Sequence, residues 1–285
     1  FYSEMNFNFL FVLPVKPEAV IESGTELLAR LCARPSLSGL ESLLFGEGPS
    51  KRETVELCGS LSSGKTLLLA QLIAKCILPS VCDGLEIQGR DVAVLLVNTD
   101  HHFRVSKLIE LMLAIVEKAC EREYFEYDED TIREMIIMPS LESLTVVSCY
   151  DNAQFKLTLN SLDGILEKNP RIGLIAVDSV SSFYWQDRAN GGVWMMDQYL
   201  KDNLKIIQRH VFQYKIVTIY TRPDDFASRG QGKAIEITVE PTSEKINYRI
   251  NLSCGNLCLI ETASGKVEIR FKIDRKGITW IDNCK

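Results

Sequence analysis

From Arg52 onward the apolar residues follow two spacings in turn. The runs RETVELC (52–58), DVAVLLVN (91–98), TVVSC (145–149), GLIAVD (173–178) and KIVTIYT (215–221) have the length and apolar density of strands. Between them the spacing becomes helical. TLLLAQLIAKC (66–76) is one such stretch, and Leu108, Leu111, Met112, Ile115 and Ala119 mark a second. Phe155, Leu159, Leu162 and Leu166 mark a third, and Leu200, Leu204, Ile207 and Val211 a fourth. Strands apolar at nearly every position are buried on both faces, as in parallel sheets. The alternation predicts an α/β fold: a mainly parallel twisted sheet flanked by helices. After Lys233 the pattern changes. INYRINLSC, NLCLIETASGKVEIRFKID and GITWID read as short strands, with turns at Ser264-Gly265 and Lys276-Gly277, and predict C-terminal antiparallel strands. No internal repeat or second domain is visible.

Composition narrows the class. Hydrophobic residues at 46% and charged residues at 25% describe a folded globular chain rather than a disordered one. The formal charge of −6 means that any contact with nucleic acid has to be local. No apolar run approaches the ~20 residues of a membrane span, so no membrane partner is expected. The early stretch NFNFLFVLP lacks a basic flank and a small-residue cleavage site, so no signal peptide is expected. The nine cysteines are scattered, which points to a reducing compartment and buried thiols. Cys254 and Cys258 are four apart, but the chain has only His101, His102 and His210 beside them, and zinc is not predicted.

The chemistry concentrates at Gly59-Ser60-Leu61-Ser62-Ser63-Gly64-Lys65-Thr66, which fits G-x-x-x-x-G-K-[ST] between a predicted strand and a predicted helix. The glycines let backbone N–H groups face inward around phosphate oxygens, and the helix start adds its positive end. Lys65 would pair with the β- and γ-phosphates of ATP and the Thr66 hydroxyl would ligate Mg²⁺. A carboxylate that holds the water shell of that metal is expected at the end of a neighbouring strand, where Asp178 follows four aliphatic residues. Asp100, at the end of the 91–98 run, would either orient a water attacking the γ-phosphate or cap the following helix.

These features resemble the RecA-like recombinase family: the phosphate loop at 59–66, the strand ending at Asp178, the acid at Asp100 and the late antiparallel strands. ESGTELLARL (22–31), KCILP (75–79), GLE (84–86), NTDHHF (98–103) and DSVSSFYWQDRANGG (178–192) are similar to eukaryotic recombinase paralogues in particular, and the likeness runs from about residue 22 to the C-terminus. The resemblance implies a RecA-like P-loop core over 52–285, with 1–21 as an extension and 22–51 as a linker segment. It implies a nuclear role in homologous-recombination repair of DNA double-strand breaks, assisting recombinase filaments on single-stranded or branched DNA. The partners would be other recombinase paralogues in a hetero-oligomeric complex, with nucleotide at the boundary between neighbours. It places DNA on two loops, here about 186–194 with Arg188, Asn190, Gly191 and Gly192, and 222–233 with Arg222, Arg229 and Lys233. The second reads equally well as a solvated loop, since Asp224 and Asp225 offset two of its cations.

Two departures matter. Active recombinases carry Glu where this chain has Asp100, and a carboxylate set back by about 1 Å costs on the order of 100-fold in a positioned reaction. They end the next strand with Asn-Gln, where this chain has Thr221-Arg222. Weak, DNA-dependent ATP hydrolysis at most is therefore expected. The competing readings are a small-molecule P-loop kinase, for which neither an Arg-rich lid nor an acceptor pocket is visible, and a structural adaptor that uses no nucleotide. The intact Lys65-Thr66 pair counts against the adaptor.

Overall fold

Period-2 alternation within the apolar runs decides how the molecule is layered. The computed structural model describes residues 23–26, 34–125, 127–224, 246–253 and 255–281. Each parallel run forms a strand: β1 (Thr54–Gly59), β2 (Ala93–Asn98), β3 (Leu144–Ser148), β4 (Ile172–Asp178) and β5 (Val217–Pro223). The later segments supply β6 (Tyr248–Leu252), β7 (Leu257–Thr262), β8 (Gly265–Asp274) and β9 (Gly277–Ile281). All nine join one sheet in the order β9-β8-β7-β6-β1-β5-β4-β2-β3. Every residue of β1, β2 and β4 is buried.

Alternate residues feed two separate cores. Val94 and Leu96 of β2, Leu174 and Ala176 of β4, and Val55 and Leu57 of β1 face one core. It is closed by α1 (Lys65–Ile77) and α2 (Val105–Glu123), which pack against each other. Leu95 and Val97 of β2 with Ile175 and Val177 of β4 face the other. That one is closed by α3 (Asn152–Asn160), α4 (Leu162–Lys168) and α6 (Met196–Tyr214), the last preceded by the short α5 (Tyr184–Ala189). Leu37, Leu40, Leu44 and Phe45 of the segment ahead of β1 also enter the first core.

Two details differ from the sequence expectation. The helix over 155–166 is two helices, because Ser161 leaves helical geometry and its hydroxyl bonds the Thr158 carbonyl. Asn160, Ser161 and Gly164 favour helix interiors weakly. The apolar face runs on regardless, with Phe155, Leu159, Leu162 and Leu166 all buried in one core. Among the C-terminal strands, β7, β8 and β9 are antiparallel as expected, but β6 lies parallel to β1 and antiparallel to β7. The connection from β5 to β6 is long enough for a crossover, which parallel pairing requires.

A charge sits inside the sheet. Glu56, in the middle of β1, is 3% exposed. It accepts from Arg222 Nε (2.8 Å) and Nη2 (3.1 Å), Arg249 Nε (2.5 Å) and the Tyr220 hydroxyl (2.8 Å). Burial by itself would raise the Glu56 carboxyl, but Arg222, Arg249 and the Tyr220 hydroxyl outweigh it and hold the group below its ordinary value of 4.5. A carboxyl depressed in the folded state contributes stability that is complete above the unfolded value and is lost as the pH falls through the folded one. Glu56→Gln removes the buried charge that two guanidinium groups share, leaving them only the longer contacts of Arg249 to Glu261 (3.6 Å) and Arg222 to Asp224 (4.0 Å), and is expected to cost about 3 kcal/mol. Denaturant unfolding from pH 7 down to pH 3 checks this: the wild type should lose stability below the ordinary carboxyl range, and the variant should start lower and show a flatter acid limb.

Candidate nucleotide-binding site

The phosphate loop joins the C-terminal end of β1 to the start of α1. Two positions in it require glycine. Gly59 has φ 147°, and a Cβ there would lie 2.2 Å from the Leu252 carbonyl oxygen and 2.7 Å from Ser63 Oγ. Gly64, the N-cap of α1, has φ 97°, and its Cβ would meet Ile273 Cδ1 at 3.0 Å. Ser62 also takes a left-handed conformation, with φ 60°. The Lys65 ammonium donates to the carbonyl oxygens of Gly59 (3.0 Å) and Ser60 (2.7 Å), which holds it against the first turn of the loop.

Asp178 ends β4 and is 1% exposed. Its Oδ1 accepts from the Thr221 hydroxyl (2.6 Å) and the Thr66 hydroxyl (3.3 Å), while its Oδ2 is buried without a partner among the described residues. Burial raises its carboxyl above the ordinary range and the nearby Asp100 charge adds to this, against the lowering from the Thr221 and Thr66 hydrogen bonds. Ser63 Oγ, inside the loop, is a second buried polar atom without a partner among the described residues. A buried carboxylate oxygen and a buried hydroxyl, both unsatisfied beside a Gly-lined loop, fit a metal–phosphate group. Thr66 would hold the metal with Asp178 behind it, and Lys65, Ser63 and the backbone of 59–65 would hold the phosphates.

The remaining expected residues separate into distinct places. Asp100 lies beside Asp178: its backbone N–H donates to the Asp178 carbonyl (3.0 Å), and its carboxylate accepts from the Ser182 hydroxyl. Thr99 N–H donates to the same carbonyl at 2.7 Å, so β2 and β4 end as one unit. Arg222 is bound to Glu56 within the sheet, which places its guanidinium in the fold's buried ion cluster and not with Arg188. Arg229 and Lys233 lie outside the described residues, as do Leu27, Leu28 and Leu31 of the 22–31 segment. Among the described residues no group of His, Cys, Asp and Glu forms a metal site, and no helix is long and apolar enough to cross a membrane.

Arg188 belongs to a second cluster that the sequence reading saw only in part. Its guanidinium lies 3.7 Å from the Trp194 ring centroid and 5.5 Å from that of Trp185. The two indoles are 70% and 56% exposed. Trp185 lies on α5 and Trp194 in the loop after it, and the two are tied together by Asp187, which is buried and accepts from Val193 N (2.9 Å), Asn152 Nδ2 (2.7 Å) and Lys156 Nζ (2.6 Å). The Tyr184 hydroxyl adds a bond to the Trp194 carbonyl at 2.6 Å. The available signal was two tryptophans bracketing an arginine within ten residues. Thr221 was also missed as a partner of Asp178, since a lone Thr at a strand end carries no pattern.

No family profile matches the chain. The mouse DNA repair protein XRCC2 is 35% identical over 204 residues, which cover 70% of this chain and 67% of the mouse protein. The chain belongs to the XRCC2 family. The Arabidopsis DNA repair protein XRCC2 homolog is 22% identical over 160 residues, 49% of this chain and 43% of that relative. The chain thus matches about two thirds of the mouse XRCC2 and less than half of the plant one. Its sheet, helices and C-terminal hairpins are the RecA-like architecture expected of an XRCC2 relative.

Asp178 carries the first testable consequence. A buried carboxylate with one unsatisfied oxygen destabilises the fold in the absence of a cation, so Asp178→Asn should raise the Tm of the nucleotide-free protein by roughly 2 °C or more. The same variant should lose the Mg²⁺-dependent part of any ATP binding. Differential scanning calorimetry with and without Mg²⁺-ATP reads both effects.

Proposed function

We propose that the protein is an ATP-binding recombinase paralogue that acts in homologous-recombination repair of double-strand breaks in the nucleus. Its role is to assist recombinase filament assembly on single-stranded DNA as one subunit of a paralogue complex. The observation that carries the nucleotide part is the convergence of the glycine loop, Lys65, Thr66 and the half-satisfied Asp178 at the C-terminal edge of a parallel sheet. The DNA-repair part rests on membership of the XRCC2 family.

Bound Mg²⁺ would neutralise charge on the β- and γ-phosphates. The chain's own contribution is to bind and orient. Lys65 supplies a fixed cation, Thr66 and Asp178 supply oxygen, and the loop N–H groups fix the phosphates without a side-chain charge. Asp100 is the candidate for positioning a water, but it has the shorter acid and already accepts from Ser182. Arg222, in the place of a glutamine sensor, is committed to Glu56. Both features favour binding over turnover.

Two surfaces suit the remaining roles. Trp185 and Arg188 of α5 and Trp194 of the pinned loop after it present aromatic and guanidinium faces together, the chemistry that engages unpaired bases. Among the described residues, strand β3 is one of the two outer strands of the sheet, with Val146 exposed and with Leu157 exposed on the adjacent α3. An open edge beside apolar side chains suits a strand contributed by a paralogue partner.

Isothermal titration with Mg²⁺-ATP tests the nucleotide assignment. Lys65→Ala should weaken binding about 10- to 100-fold, the worth of one charge-assisted phosphate contact. Equal affinity in both proteins would remove the site from 59–66. Steady-state hydrolysis by the isolated chain should fall at least 100-fold below the ~10 s⁻¹ of a median enzyme. Trp194→Ala should lower affinity for single-stranded oligonucleotide about 5- to 100-fold in a fluorescence-anisotropy titration at fixed salt.

A further inference from the structure

Asp178 does not choose its own orientation. Its side chain ends in two equivalent oxygens, and their roles are divided only by what donates to them. Both hydroxyl donors go to Oδ1, Thr221 at 2.6 Å and Thr66 at 3.3 Å. Thr221 is 1% exposed and lies on β5, the strand beside β4. The parallel register pairs Val177 with Tyr220, so Thr221 follows directly opposite Asp178. The backbone of Thr221 is tied down as well, because Val180 N–H donates to its carbonyl at 3.1 Å. Of the two hydroxyls, that of Thr66 is the longer contact and belongs to the residue needed by the metal. Once Thr66 turns its oxygen to a cation, Thr221 is the donor that still holds Oδ1.

We infer that Thr221 is a positioning residue for the metal half of the site: its hydroxyl pins Oδ1 of Asp178 and thereby dedicates Oδ2 to the magnesium shell of a bound nucleoside triphosphate. This rests on the nucleotide reading of 59–66 and extends it to a residue on a different strand. It also gives a use to one of the two departures from the Asn-Gln pair of active recombinases. Loss of Asn at this position is replaced by a β-branched hydroxyl that fits a strand and donates to one carboxylate oxygen.

The test separates metal-dependent from metal-free binding. Affinity for ATP is measured by titration calorimetry on the full chain, in excess Mg²⁺ and in EDTA, for the wild type, Thr221→Val and Thr221→Ser. Thr221→Val keeps the side-chain shape and removes the donor. It should leave the EDTA affinity within 2-fold and cut the gain from Mg²⁺ about 10-fold, as expected for a group that orients a metal's ligand. Thr221→Ser should restore that gain. If the valine protein does not fold, Thr221→Ala is the donor-free variant read in the same way. A full Mg²⁺ gain in the donor-free variant overturns the inference while leaving the nucleotide site standing, as does a serine variant that fails to restore it. A wild type that binds no ATP in either buffer overturns the nucleotide reading itself, and the role of Thr221 with it.

Discussion

A carboxylate at the end of a buried strand must be satisfied by donors, neutralised, or completed by a cation. Asp178 is satisfied on one side only, and much of the site is arranged around that fact. Its Oδ1 draws in Thr221 from β5 and Thr66 from the first turn of α1. Its backbone carbonyl draws in Thr99 and Asp100 from the end of β2. Three strands and the 59–66 loop therefore meet at one residue, while Oδ2 is buried with no partner among the described residues. The parallel sheet makes this possible, because parallel strands bring all their C-terminal ends to one edge.

Glu56 is the instructive contrast. It is equally buried, on the strand that leads into the phosphate loop, yet both its oxygens are fully engaged by two arginines and a tyrosine. Its carboxyl is held below the ordinary range, whereas that of Asp178 is raised. Complete pairing makes Glu56 a structural lock across β1, β5 and β6. Incomplete pairing makes Asp178 a candidate for completion by a cation. The lock also consumes Arg222, while its neighbour Thr221, on the other face of β5, bonds Asp178.

Much of this was legible in the sequence for a physical reason. Strands buried on both faces cannot hide their composition, so β1, β2, β4 and β5 were located to within two residues or so, and the phosphate loop fell between its strand and helix as its glycines demand. Asp178 and Asp100 stood out because acids rarely end aliphatic runs. What could not be read depended on pairing between distant segments. The parallel placement of β6, the Glu56–Arg222–Arg249 cluster and the Thr221–Asp178 contact are decided by register, which no local pattern encodes. Trp185 fell within the 178–192 stretch and Trp194 at the end of the 186–194 loop, but their meeting around Arg188 depends on how Asp187 pins the chain at Val193, a tertiary matter. The break at Ser161 was a matter of weak helix formers overriding an unbroken apolar stripe.

The central claim is that a divalent cation completes the half-satisfied carboxylate when nucleotide is bound. Crystals grown with ATP and manganese(II) test it directly, because manganese scatters anomalously. The account predicts an anomalous peak between the phosphates, Thr66 and the Oδ2 side of Asp178. ATP seated in the 59–66 loop with no manganese there, or manganese bound only elsewhere on the molecule, would contradict it.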